Sequence, residues 1–420
     1  MSKIIFHIDV NSAFLSWEAI YRLRHKGGTQ DLREIASAVG GDVTLRHGII
    51  LAKSIPAKQY GVKTGEAIWE AKQKCPGLVL VPPNYDLYET CSAAFMEILR
   101  DYSDVVEQYS IDEAFVDMSA SCHLFGKPEE AAMRIKERIR ETLGFTVNVG
   151  ISNSKLLAKM ASDFRKPDQV HTLYPEELEE KMWPLPVSDL FFVGRATTKR
   201  LLSMGIRTIG ELAASDPAWI KGVFKKQGEL IWSFANGMDG STVLEQPPAH
   251  KGYGNSTTTP YDVTDVETAD KVLLALCETV ANRLRTDRVQ AGVVSVRIRY
   301  SDLVSVSHQK VLLNPTNLTL EVYQVACRLF RELWNGRPIR HLGVHTARIN
   351  CAKGYRQCDL FEEIDYEKLF RLDEMIDAIR NSFGMDSIMR AVFLGQPIDH
   401  MSGGISREKR SVNYETIEIS

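Results

Sequence analysis

Two adjacent carboxylates, Asp112 and Glu113, stand inside an otherwise apolar, strand-like run, Tyr109-Ser110-Ile111-Asp112-Glu113-Ala114-Phe115-Val116-Asp117. Burying such a pair is costly unless a cation compensates it. Side chains alternate along a strand, so the two acids converge on one ion only where the strand bends into a turn. A hairpin corner carrying a metal is one reading; the other makes Ser110 and Glu113 an S-x-x-E capping box at the start of a helix. Upstream, Lys3-Ile4-Ile5-Phe6-His7-Ile8-Asp9-Val10-Asn11 reads as a short buried strand ending in an acid, and residues 12–20 continue with helical spacing. Asp9, at a strand end where a helix begins, is placed to meet the acidic pair from a neighbouring strand. Three carboxylates offer hard oxygen ligands to Mg2+, which keeps several waters and reaches substrate phosphates through one or two protein carboxylates. Two such ions on shared carboxylates suit in-line phosphoryl transfer.

The elements that must position these acids follow from periodicity. Strands near 78–81, 105–108, 115–118 and 146–151 interleave with amphipathic helices at 86–102 and 128–143, which predicts an α+β sheet covered by helices on one side. A further strand is predicted over 45–52, after glycine breaks at 27–28 and 40–41. Ser152-Asn153-Ser154 caps a helix over 155–164 that ends at Arg165-Lys166-Pro167; Lys166 there complements the helix dipole or meets an anion. Residues 169–240 read as mostly helical, and 241–252, with Gln246-Pro247-Pro248, as a tether. Beyond it, strands at 293–300, 304–312 and 342–350 are separated by helices at 269–285 and 318–334, and a last helix covers 367–383.

The chain has 420 residues, 44% hydrophobic and 25% charged, more than one core usually organises. No apolar run approaches the roughly 18 residues of a membrane span. The first residues run into a strand without a signal-like pattern, so a cytoplasmic protein with no membrane role is expected. The seven cysteines, at 75, 91, 122, 277, 327, 351 and 358, include no C-x-x-C pair and read as reduced, partly buried hydrophobes. The net charge of −3 is unevenly spread: residues 251–356 hold 15 Lys and Arg against 9 Asp and Glu, +6 locally, and residues 357–401 hold 4 against 10, −6. Local basic surface is what attracts a phosphate backbone; a mixed surface with no such role is the alternative.

Asp9 with Phe14, the block 110–117, and Val149-Gly150-Ile151-Ser152 through Lys166-Pro167, in this order and spacing, resemble the Y-family DNA polymerases. The likeness is to the DNA polymerase IV and V branch, which copies past damaged bases, and runs from residue 1 to about 350. It implies an α+β multidomain right hand: a palm from residues 1–12 and 80–168, small fingers at 13–79, a helical thumb at 169–240 with helix-hairpin-helix turns, a linker at 241–252, an α/β little finger at 253–351 and a C-terminal tail at 352–420. It also implies template-directed, low-fidelity synthesis on primer-template DNA from deoxynucleoside triphosphates, with two Mg2+ ions that Mn2+ can replace. By resemblance, Asp9, Asp112 and Glu113 are catalytic and, with the Val10 carbonyl, hold the ions. Phe14, Ser54, Lys58 and Lys166 face the nucleotide. Phe14 would be the steric gate, its ring leaving no room for a 2'-hydroxyl; packing in the fingers core is the alternative. Gly194, Arg195, Gly205 and Lys225 in the thumb, and Arg297 and Arg299 on one face of a little-finger strand, would meet DNA, glycine turns letting backbone N–H groups approach a phosphate. Gln357-Cys358-Asp359-Leu360-Phe361 resembles the peptide that docks bacterial polymerases into the sliding clamp, the β subunit of DNA polymerase III, with Gln357 making polar contacts and Leu360 and Phe361 filling a pocket. The chain is expected to act as a monomer.

Five positions depart from the family pattern. Ile55-Pro56-Ala57-Lys58 stands where Y-x-A-R is common, so Lys58 brings a point charge and no fork. Phe192 stands where a second glycine, two residues before Gly194, is usual. Cys358 replaces a leucine of the clamp peptide, and Asn11 stands where many members have a second Asp. A catalytically weak DNA- and clamp-binding accessory of the same fold is the rival reading, opposed by intact Asp9, Asp112 and Glu113. Nucleotide cyclisation on a related palm is a third, which would need neither hairpin phosphate binders nor a clamp peptide.

Overall fold

The computed structural model describes residues 3–41, 48–246, 248–351, 356–357, 365–395, 398 and 400–401. They form two compact units, one of residues 3–40 and 50–246 and one from residue 248 onward. In chain order the first unit contains β1 (Ile5–Val10), α1 (Ala13–His25), β2 (Ser37–Gly40), β3 (Ile50–Lys53), α2 (Ile55–Gln59), α3 (Ile68–Lys74), β4 (Val79–Val81), α4 (Tyr85–Arg100), β5 (Val106–Gln108) and β6 (Glu113–Asp117). It continues through α5 (Pro128–Leu143), β7 (Val147–Ser152), α6 (Lys155–Asp163), β8 (Val170–Thr172), α7 (Arg195–Ser203), α8 (Ile209–Ala213), α9 (Pro217–Phe224) and α10 (Lys226–Ala235).

All six residues of β1 are buried, because it is the central strand of a sheet ordered β5-β6-β1-β7-β8. Phe6 and Ile8 point into a core shared with Leu87, Phe95 and Leu99 of α4 and Ile135 and Ile139 of α5. By the two-residue period of a strand, Ile5, His7 and Asp9 face the other way. There α6 covers the sheet, Ala158 packing on Ile5 and Phe115, so the sheet carries helices on both faces and not, as its pattern suggested, on one. Gly150 permits this approach: a Cβ at that position would lie 2.0 Å from the Ala158 carbonyl oxygen.

The corner between β5 and β6 decides between the two readings of the acidic pair. The N–H groups of Tyr109 and Ser110 both donate to the Glu113 carbonyl, at 3.0 and 3.1 Å, and Glu113 opens a strand. The capping-box helix does not form.

Three boundaries differ from expectation. Residues 80 and 81 fall within the expected palm, but β4 pairs in parallel with β2 in a separate three-stranded sheet, with Val81 buried against Leu15 and Val39. Residues 170–172 were assigned to the helical thumb, but β8 extends the main sheet beside β7. The strand expected over 45–52 begins at Ile50, residues 42–47 lying outside the described ones. The supposed tether is also docked at its start: Asp239 caps α6 by accepting the Leu156 N–H at 3.0 Å, Leu244 N–H donates to Glu107 at 2.8 Å, and Val243 is buried with Ile5 and Phe115.

The second unit contains β9 (Gly252–Val263), α11 (Val266–Thr286), β10 (Val289–Tyr300), β11 (Ser305–Thr316), α12 (Thr319–Leu333), β12 (Ile339–Cys351) and α13 (Tyr366–Phe383). Its antiparallel sheet runs β11-β10-β12-β9, and Val294, Val296 and Ile298 meet Leu276 of α11 and Phe330 of α12 in one core. β9 was not foreseen, because GYGNSTTTPYDV has few apolar residues and pairs on one side only, at the sheet edge. The described residues beyond 365 are not a separate tail. Arg380 donates to Glu278 at 3.1 Å and Arg390 donates to the same carboxylate; Arg285 reaches Asp373 at 3.1 Å and Asp377 at 2.6 Å. Phe393 and Ile398 are buried in the core of this unit. Among the described residues no helix is long and apolar enough to cross a membrane.

Candidate active site and nucleic-acid interface

Asp9 of β1 and Glu113 of β6 are direct partners in the antiparallel ladder, so strand pairing alone brings two carboxylates together. Asp112 sits one residue before the strand, in the turn, where its carbonyl accepts the Val10 N–H at 3.0 Å and its carboxylate accepts the Ser110 hydroxyl at 2.7 Å. The charge is balanced from α6 and the loop after it. Lys159 Nζ donates to Glu113 at 2.6 Å and lies 3.4 Å from Asp9. Lys166 Nζ reaches Asp9 and Asp163, each at 2.9 Å, and precedes a cis proline, Pro167.

Burial pushes the Asp9 carboxyl up, but the Lys166 and Lys159 ammonium groups outweigh it and hold the group below its usual range. Glu113, half-buried beside Asp9, is pushed up to about 7 even with Lys159 against it. Burial alone would lower Lys159; Asp163, Asp9 and Glu113 around it raise it instead. His7, fully buried one turn of the pleat behind Asp9, is held well below its ordinary value, first by burial and then by Lys159, and shares a 2.7 Å hydrogen bond with Ser162.

These donors suit a hard divalent cation: they are oxygens, anionic and paired across a strand register, with no thiol or imidazole among them. Among the described residues no three acidic, histidine or cysteine side chains close around one point.

Asp9, Val10 and Asp112 open onto a cleft of 660 Å³ that Phe14, Ser54, Lys58 and Lys166 also line, a size ordinary for a small-molecule site. Every nucleotide-facing residue named from the sequence is therefore in one cavity. Phe14 is fixed there by stacking on Tyr88, centroids 4.3 Å apart. Ser54 is buried and caps α2, its hydroxyl oxygen accepting the N–H groups of Ala57 and Ser37 at 3.1 Å each, so it shapes the turn that holds Lys58. Lys58 is exposed on α2, with Ile55 48% exposed at the start of the same helix.

The other named residues divide. Gly194 caps α7 with nothing within 4 Å of where a Cβ would stand, and Arg195 is exposed beside it. Gly205 has φ +86° and ends α7 in the left-handed region, a helix stop. Lys225, exposed, joins α9 to α10. Arg297 and Arg299 alternate with buried Val296, Ile298 and Tyr300. Across the ladder Arg297 meets Ser307 and Gly343, and Arg299 meets Ser305 and His341, giving a polar, basic sheet face. Gln357 is exposed, its backbone N–H and carbonyl each bonded to the Asn314 amide at 2.8 Å; Leu360 and Phe361 lie outside the described residues.

Sequence reasoning missed Lys159, the counter-ion of the acidic pair. Its signal was present: a lone lysine amid Leu156-Leu157-Ala158 and Met160-Ala161 must find a buried anion. Tyr88, stacked on Phe14, had no signal beyond its place on an apolar helix face.

Residues 8–163 match the impB/mucB/samB family, 175–206 the IMS family HHH motif and 250–360 the impB/mucB/samB family C-terminal domain. The chain is 44% identical over 394 residues to DNA polymerase IV of Clostridium acetobutylicum, spanning 94% of this chain and 99% of that protein. It is 39% identical to DNA polymerase IV of Acetivibrio thermocellus, spanning 94% and 98%, and 35% identical to DNA polymerase IV 1 of Bacillus subtilis, spanning 94% of each. A solved Y-family DNA polymerase chimera shares the fold, with a TM-score of 0.70 at 24% identity over 83% of this chain and 99% of that one. With the paired carboxylates, the hairpin motif and the C-terminal domain each matched in order, the chain belongs to the impB/mucB/samB family of Y-family DNA polymerases.

Proposed function

We propose that this translesion DNA polymerase joins nucleotides through Asp9, Asp112 and Glu113. The observation that carries the assignment is the register pairing of Asp9 with Glu113 beside a cleft edged by Phe14, Lys58 and Lys166. In the reaction the primer 3'-oxygen attacks the α-phosphorus of a deoxynucleoside triphosphate, the bond to the bridging oxygen breaks, and pyrophosphate leaves. Two Mg2+ ions, or Mn2+ in their place, would be held by Asp9, Asp112, Glu113 and the Val10 carbonyl, and would supply acidity to the primer hydroxyl and charge neutralisation to the phosphates.

The rest is done by this chain. Lys166 and Lys58 hold the triphosphate as point charges. Phe14 stands under the sugar and excludes a 2'-hydroxyl by overlap. Lys159 keeps Asp9 and Glu113 aligned. The turns at Gly194, Arg195, Gly205 and Lys225 and the Arg297–Arg299 face grip the duplex without reading sequence. Gln357, Leu360 and Phe361 dock the chain, as a cytoplasmic monomer, into the sliding clamp. Residues 1–12 and 80–168 are the palm, 13–79 the fingers, 169–240 the thumb and 253–351 the little finger, with the shifts at β4 and β8 noted above.

Primer extension on undamaged template with Mg2+ tests the assignment. Wild type should extend, and the double variant Asp112→Ala, Glu113→Ala should not. Extension by the double variant would remove both residues from the chemistry; no extension by wild type would favour the accessory reading and make clamp binding the next assay.

A further inference from the structure

Phe192 occupies a costly position. Its φ is +71°, a conformation that L side chains avoid, and its ring is 51% exposed. Strain retained at a surface turn points to a use. The ring is nonetheless held firmly. It stands edge-on to Phe191 at 4.6 Å and to Phe234 at 5.8 Å, and its carbonyl accepts a hydrogen bond from Gln227 Nε2 at 3.0 Å.

Gln227 belongs to a second turn of the same kind. Lys225 has φ +57° and stands directly before α10, much as Phe192 stands shortly before α7. The Gln227 side chain thus joins two left-handed, non-glycine turns into one unit. The family hairpin motif covers only the first of them. Exposed around the pair are Arg195, Lys199, Lys225 and Lys226, a setting for a polyanion.

Phe192 lines a cleft of 1030 Å³ together with Tyr109 and Phe115, from the same hairpin that carries Asp112 and Glu113. On the DNA polymerase reading, a strand whose 3' end meets those carboxylates would run along this cleft. We infer that the Phe192 ring is an apolar ledge for the sugar edge of the primer strand, and that the Lys225 turn supplies the phosphate contact beside it, the two acting as one grip through Gln227. The inference rests on the DNA polymerase reading. It predicts a component of binding that does not depend on counterion release, unlike the lysine and backbone contacts.

Binding of a labelled primer-template duplex, followed by fluorescence anisotropy from about 50 to 300 mM salt, separates the parts. Phe192→Gly and Phe192→Asn both accept the left-handed conformation and should melt no lower than wild type, yet bind about 3- to 10-fold more weakly at every salt with an unchanged salt slope. Lys225→Ala should reduce the slope by about 1. Wild-type affinity in Phe192→Gly and Phe192→Asn would overturn the ledge, and a lower melting temperature in both would overturn it by making the ring structural. Absence of duplex binding by wild type would instead overturn the DNA-binding reading beneath it.

Discussion

The ring of Tyr88 lies flat on that of Phe14, with planes 9° apart and centroids 4.3 Å apart. Its hydroxyl donates to the buried Glu18 carboxylate at 3.1 Å, so the ring behind the gate is itself fixed. A steric gate excludes a sugar only if it cannot swing aside. Tyr88→Leu should therefore let ribonucleotides in, lowering discrimination by about 10-fold or more, as positioning losses do, while Tyr88→Phe, which keeps the stacked ring and loses only the hydroxyl bond, should lose less. Phe14→Ala should lose more than either and spare deoxynucleotide use. Incorporation ratios for paired deoxy- and ribonucleotides check all three; equal ratios would return Phe14 to a packing role.

Burial raises the Glu18 carboxyl pKa, against the pull of Arg22 and Tyr88. Between the unfolded carboxyl pKa and this raised value the folded state holds more protons than the unfolded one, so stability falls as pH rises through that window. Glu18→Gln keeps an acceptor for Tyr88 and abolishes this slope. It should melt above wild type at pH 8 and no higher at pH 4; a pH-independent difference would mean another group sets the slope.

Lys159→Met removes the ammonium at 2.6 Å from Glu113 and leaves Lys166, 2.9 Å from Asp9, as the remaining counter-charge of the two carboxylates. The apo protein should be destabilised by about 1–3 kcal/mol, at or below the scale for breaking a buried pair, and added Ca2+ should restore more stability to the variant than to wild type, since an ion that binds only the folded state stabilises it. Thermal melting with and without Ca2+ measures this. An equal Ca2+ increment in both proteins would place Lys159 outside the ion site.

Lys58→Arg replaces a point charge with a planar fork suited to phosphate on an exposed helix that lines the cleft beside Asp9 and Phe14. The apparent KM for deoxynucleotides should fall. An unchanged or higher KM in steady-state extension would put the nucleotide elsewhere.

Glu278→Ala strips the shared partner from Arg380 and Arg390. Arg380 is 4% exposed, so its charge would be left buried, at a cost of about 3–5 kcal/mol. Denaturant unfolding should show the second unit melting early in this variant. A shift within the range of surface substitutions would make the network ornamental.

Much of this was legible before any coordinates. The acidic doublet within a strand run, and Asp9 at the end of a buried one, could be satisfied only by convergence, and the ladder pairs Asp9 with Glu113. The helix at 128–143 was readable to the residue, because its apolar period is regular and Pro128 and Gly144 mark its ends. What escaped depended on partners distant in sequence. Three residues at 79–81 carry no sign of which sheet they join, and Gly252–Val263 pairs through backbone with little apolar pattern. The acidic segment after residue 357 read as a C-terminal tail outside the last domain, whereas Asp373 and Asp377 find Arg285 some ninety positions away. Lys159 was overlooked because a lysine on an apolar helix face is usually read as a blemish, although burial obliges it to have an anion.

The charged dovetail between α11 and the segment after Tyr366 has an evolutionary corollary. A recombination event, or a designed graft, that exchanged residues 253–351 alone would import α11 without its counterpart and strand Glu278 and Arg285 in a dry seam. Viable crossovers are thus confined to the junction near residue 248 and a point beyond Ile398, so both flanks of the clamp-like peptide are inherited with the sheet they pack on.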